Sequence, residues 1–140
     1  MEDSFNHFSI VEESFIKYGT IKSYRDLIVW QMSMELVKEI YVLTNEMPES
    51  EKMGLTSQIR LASISISSNI AERLGRNSKG RYLNHLTIAN SSSFETETHL
   101  QLIENLGFLV PTKIEKIKKL LDECGRKLRS MVVQLESQNN

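Results

Sequence analysis

A single cysteine, Cys124, in a chain of 140 residues leaves no partner for an intramolecular disulfide, which fits a reducing compartment. Proline is nearly as scarce. Pro48 and Pro111 are the only two, and each falls between helical patterns, where a residue unable to donate to a helical ladder belongs. There is no glycine-rich phosphate loop, cysteine pair or dinucleotide fingerprint. Apolar and polar residues nowhere alternate over a useful length, so strands are not expected. No uncharged run approaches the ~20 apolar residues of a membrane span. The acidic, polar start MEDSFNHF has no signal-peptide pattern. No membrane partner and a cytoplasmic location are therefore expected. Neither sign of charge is in excess: 17 Lys and Arg against 18 Asp and Glu give a net charge of −1. With a pI near 6.3, the chain has no global attraction to nucleic acid.

The most informative absence is local. Residues 61–71 and 82–94 contain no Asp, Glu, Lys or Arg, in a chain that is 25% charged. Both stretches lie inside long helical patterns, and a helix uncharged on every face is usually covered on every face. A small bundle cannot cover two helices all round, so association with copies of the same chain is expected.

The periodicity predicts four long helices. The first runs from about Tyr24 to Glu46, with Ser23 as N-cap. Its apolar residues form two adjacent stripes. Leu27, Trp30, Met34, Val37 and Tyr41 make one, and Val29, Met32, Leu36, Ile40 and Leu43 make the other. Two adjacent stripes are wider than one bundle seam requires, so the spare one suits an intersubunit contact, although a deeply buried helix would show the same pattern. The second helix runs from about Glu49 to Leu74 and ends near Gly75. Leu55, Ile59, Ala62, Ile66, Asn69 and Ile70 form its core stripe. Gly54, Gln58, Leu61, Ser65, Ser68 and Glu72 form a stripe of mostly small or neutral residues that suits close approach of another backbone. The expected oligomer interface is therefore Val29, Met32, Leu36, Ile40, Leu61, Ser65 and Ser68.

The third helix runs from about Lys79 to Leu106, capped by Ser78 and stopped by Gly107. Its seam is Tyr82, Leu86, Ala89, Ser93, Thr96, Leu100 and Ile103. In the fourth helix, Thr112 and Glu115 read as a capping box. Ile114, Ile117, Leu121, Cys124, Leu128, Met131 and Leu135 follow an a/d heptad. Cys124 falls on that seam and reads as a small buried apolar residue. Short connections imply antiparallel neighbours. The fold class is all-α, an antiparallel up-down-up-down four-helix bundle over residues 23–137. Residues 1–22 form an amphipathic N-terminal segment with a short helix, because Phe5, Phe8, Val11, Phe15 and Tyr18 recur at helical spacing.

Nothing in the chain calls for catalysis, a metal or a cofactor. A di-iron bundle needs two Glu-x-x-His motifs, and the nearest approach is Glu95 with His99, four residues apart. His85 and His99 stand about 21 Å apart along one helix axis and cannot share an ion. Ser91, Ser92 and Ser93 have no elbow or histidine to activate them. A polar set of Asn69 and Glu72 on the second helix with Glu95 and Glu97 on the third is the candidate site. An amide on an apolar seam usually bonds a specific partner and fixes register; here Glu95 or Glu97 is the expected one. The alternative is a small-ligand or enzymatic cleft built from Asn69, Glu72 and Glu95. Arg73, Arg76, Lys79 and Arg81 cluster at the connection between the second and third helices, and a second cluster on the fourth holds Lys113, Lys116, Lys118, Lys119, Arg126, Lys127 and Arg129. These are candidate contacts to RNA or another anion if repetition around a ring multiplies a modest patch.

The segments YRDLIVWQMSMELVKEIY, MPESEKMGLTSQIR leading into SISSNIAE, and YLNHLTIANSSSFETETHL occur in this order between Tyr24 and Leu106. In composition and spacing they resemble the four-helix bundle proteins encoded in intervening sequences of bacterial large-subunit ribosomal RNA genes. The resemblance implies a ring-shaped homopentamer and marks Asn69, Glu72 and Glu95 as signature residues. A related accessory protein of diversity-generating retroelements binds nucleic acid, which implies RNA or another nucleic acid as a partner. The chain departs from the pattern at Leu61, at Arg73 and at Ser91–Ser92, where the family usually carries arginine, glycine and Gly-Ser.

Overall fold

The computed structural model describes residues 23–72 and 79–137. The expected amphipathic segment 1–22, Arg73 and Arg76 lie outside the described residues, as does the side chain of Lys79. Four helices make up most of what is described: α1 Ile28–Thr44, α2 Leu55–Ala71, α3 Lys79–Asn105 and α4 Pro111–Ser137.

The ends of these helices follow local chemistry, with three shifts from expectation. Ser23 caps a separate 3-10 turn, Tyr24–Asp26, its Oγ accepting from the Arg25 N–H at 3.2 Å. Leu27 is then extended (φ −72°, ψ 124°) and α1 starts only at Ile28. Glu49–Glu51 likewise form their own 3-10 turn. The Glu51 carboxylate accepts from the Leu55 N–H at 3.2 Å, satisfying an orphan donor at the start of α2. α4 begins at Pro111, before the expected Thr112 cap, because proline presets φ and has no N–H to strand in the first turn. The stop of α3 is as expected. Gly107 takes φ 72°, its N–H bonds Glu104 O at 3.0 Å, and the Phe108 N–H bonds Ile103 O at 3.1 Å. That pattern is a Schellman stop, and its left-handed residue favours glycine.

Cross-helix hydrogen bonds fix the directions. Ser65 and Asn69 of α2 meet Ser92 and His85 of α3, rising against falling numbers. Glu46 and Glu39 of α1 meet Lys113 and Lys116 of α4 in the same sense. Glu104 and Asn90 of α3 meet Lys118 and Arg129 of α4. Each of these three pairs is antiparallel, so α1 and α2 must be antiparallel too. Each helix packs on two others, α1 and α3 both lying against α2 and α4.

The core is aliphatic. Leu36, Ile40, Ile59, Ile66, Ile70, Leu86, Leu100, Ile103, Ile114 and Leu128 are fully buried. Cys124 lies on the α4 seam, buried, with its sulfur 4.0 Å from Val29 O. Buried hydroxyls are mostly absorbed by their own helices. Ser33, Thr44, Ser63, Ser93 and Thr96 each donate to a carbonyl three or four residues back, at 2.6–3.0 Å. The buried hydroxyls of Thr56 and Ser67 on α2 are the exceptions, with no hydrogen-bond partner among the described residues.

Candidate functional site

The closest polar meeting between helices is a chain of side chains along α2 and α3. Asn69 Nδ2 donates to Ser65 O at 2.8 Å and to Ser65 Oγ at 3.1 Å. Since a carbonyl can only accept, this fixes the amide orientation and leaves Oδ1 as the acceptor toward α3. His85 Nδ1 stands 2.9 Å from that oxygen and must carry the proton, which leaves Nε2 as the acceptor of the neutral ring. Ser65 Oγ and Ser92 Oγ lie 2.8 Å apart and continue the network.

The partner of Asn69 is thus on the expected helix but is His85, not Glu95 or Glu97. The reason is register. Ser65 opposite Ser92 and Asn69 opposite His85 place Glu95 well beyond the height of Asn69. Glu95 instead stands exposed, 3.5 Å from His99 on its own helix. Glu97 is exposed on the other side of α3, in a cleft toward α4. Glu72 is exposed at the end of α2. The four residues of the polar set do not form one site, and the ligand cleft expected from Asn69, Glu72 and Glu95 is not assembled. Counting residues outward from the predicted connection at Gly75–Ser78 in both directions would have brought His85 opposite Asn69.

A second correction concerns α1. Val29, Met32, Leu36 and Ile40, expected at an intersubunit contact, are buried inside this one chain. Of the neighbouring stripe, Met34 is 45% and Tyr41 39% exposed, Trp30 and Val37 are half-buried, and Leu27 is buried. Wholly aliphatic Val, Leu and Ile can be buried without residue, whereas Tyr41 keeps its hydroxyl near water. Arg60 settles on the outward stripe, its guanidinium 4.3 Å from the Tyr41 ring centroid. It donates to Thr44 Oγ1 at 2.9 Å and Asn45 Oδ1 at 3.3 Å. On α2, Leu61 (60% exposed), Ile64 and Ser68 also face out, and Ser65 is half-buried. Ile88 is exposed on α3, one turn beyond His85.

The cations of α4 are largely neutralised. Lys113 pairs with Glu46, Lys116 with Glu39, Lys118 with Glu104 and Arg126 with Asp122. Lys119 is exposed on the same helix, and Arg81 is exposed on α3. Among the described residues, no group of three or more His, Cys, Asp or Glu side chains stands where one metal ion could be shared. No described helix is long and apolar enough to cross a membrane.

A cleft of about 290 Å3 between α3 and α4 was missed by the sequence reading. Phe94, Glu97, Gln101, Lys118, Gly125 and Arg129 are among its lining residues. Gly125 was the legible signal. A glycine inside a 27-residue helix costs ~1 kcal/mol relative to alanine and asks for a reason. Arg129 lies over it: its Nη1 would stand 2.9 Å from a Cβ at position 125, so the flexible end of that side chain would shift.

A family model described as 23S rRNA-intervening sequence protein matches residues 25–130. A solved structure of a protein of unknown function, from the S23 ribosomal protein family of Bacteroides thetaiotaomicron, superposes with a TM-score of 0.70. It is 26% identical, and the match covers 75% of this chain and 95% of that one. No curated protein matches the sequence.

Proposed function

The chain belongs to the 23S rRNA-intervening sequence protein family, and on that premise we propose that it acts as a non-enzymatic scaffold assembled from copies of itself. The observation that carries this reading is the set of exposed apolar side chains on the outer faces of three helices, Met34 and Tyr41 of α1, Leu61 and Ile64 of α2 and Ile88 of α3, with Lys38 and Arg60 as the charges beside Tyr41. Several large apolar side chains side by side, with few charges among them, mark an association surface more often than a solvated one. An obligate contact of this kind buries at least ~2,000 Å2 in total, with an apolar centre. Five subunits is the number that the family resemblance favours. An RNA-associated role fits the same assembly, because a ring would repeat the exposed Lys119 and Arg81 once per subunit.

Light scattering coupled to size exclusion tests the scaffold. The expected mass is a multiple of 16.1 kDa, and Ser68→Arg should return it to the protomer by stranding a charge in the contact. A wild-type monomer at micromolar concentration would sink the proposal. RNA binding should be weak and steeply salt-dependent. If none is found at ~50 mM salt, where screening is weaker than at physiological strength, the scaffold stands without it.

A further inference from the structure

We propose that the α3–α4 cleft is a binding site for a small zwitterion of the α-amino-acid class. This goes beyond the scaffold reading and uses none of its surface. Arg129 is half-buried, lies 5.4 Å from the Phe94 ring centroid and donates to Asn90 Oδ1 at 3.4 Å. Among the described residues it has no carboxylate partner within ion-pair distance. The other charges of the cleft are accounted for differently. Lys118 is held by Glu104 and Asp122 by Arg126, while Glu97 makes no ion pair among the described residues. The cleft therefore presents one guanidinium and one carboxylate without an ion-pair partner among the described residues, the guanidinium resting on Asn90 and Phe94 and the carboxylate exposed.

The charge arrangement selects the ligand class. A phosphate or other dianion would meet the unpaired Glu97, and a simple amine would meet the unpaired Arg129. A neutral apolar ligand would cover two unpaired charges at a desolvation cost. A zwitterion meets both: its carboxylate takes the planar, bidentate donors of Arg129, and its ammonium faces Glu97. An apolar side chain then lies along Phe94 and Leu121. A volume of about 290 Å3 is at the lower end of small-molecule sites and limits the ligand to about ten heavy atoms. Gly125 lies beneath this guanidinium, and a Cβ there, 2.9 Å from Nη1, would make the end of the Arg129 side chain shift.

Equilibrium dialysis of the full chain against radiolabelled L-leucine tests the site, with 4-methylpentanoate and isopentylamine as unlabelled competitors. A Kd on the order of 1 mM is expected for so small a ligand. Each competitor lacks one of the two charges and should displace the label at least about tenfold less well than unlabelled leucine. Arg129→Gln, with its helical circular dichroism unchanged, should weaken binding about tenfold or more. Gly125→Ala should weaken it as well while leaving the melting temperature equal or higher, a combination that general unfolding would not produce. Three results each overturn the proposal: no saturable binding up to ~20 mM, well above the expected Kd; 4-methylpentanoate or inorganic phosphate competing as well as leucine; or Arg129→Gln binding like the wild type.

Discussion

Replacing Asn69 by alanine should destabilise the protein mainly through His85. The side chain makes one hydrogen bond across the helix interface, Oδ1 to His85 Nδ1 at 2.9 Å, and one to Ser65 Oγ at 3.1 Å. Its third, to Ser65 O, falls on a carbonyl of its own helix. Each of the two side-chain bonds is worth ~1 kcal/mol net, and alanine recovers roughly half a kcal/mol of helix propensity. The expected loss is about 1–1.5 kcal/mol, or a fall of ~3–5 °C in melting temperature for a chain of this size. A double-mutant cycle isolates the interhelical part. Asn69→Ala with His85→Ala should couple by ~1 kcal/mol, whereas Asn69→Ala with Glu95→Ala should be additive. Thermal unfolding at one fixed protomer concentration is the assay, because self-association makes the melting temperature concentration-dependent. Coupling to His85 below ~0.3 kcal/mol, or equal coupling to Glu95, would refute the register argument.

Two further outcomes follow from the burial pattern and the helix stop. Leu36→Ala should cost about 2–5 kcal/mol in unfolding experiments, as deletion of a fully buried side chain does. Met34→Ala on the outward stripe should change protomer stability by less than ~1 kcal/mol and weaken self-association instead, which light scattering over a dilution series would detect. Gly107→Ala, at φ 72°, should lower stability by ~1 kcal/mol because a side chain there is strained in the left-handed region. A neutral result in chemical denaturation would mean that the α3 stop relaxes to another conformation.

Much of the bundle was written in local chemistry. The α4 seam from Ile114 to Leu135 and the α3 seam from Tyr82 to Ile103 are buried where the heptads put them, because periodicity alone decides which side of an isolated helix is apolar. Gly107 stops α3 because the needed φ favours glycine, a requirement that acts within a few residues. Both are properties of one segment, so one segment suffices to read them. The choice between the two stripes of α1 is different in kind. Each is apolar enough to be inside, and only the positions of α2 and α4 decide that Leu36 and Ile40 are covered while Met34 and Tyr41 are not. The partner of Asn69 is decided in the same way, by the height at which two antiparallel helices dock. Arg129 over Phe94 and Gly125 joins two helices, and the cleft it shares with Glu97 exists only once α3 and α4 are packed. Sequence fixes what each helix can bury, but which surfaces meet, and at what register, is a property of pairs and exists only once the helices are packed.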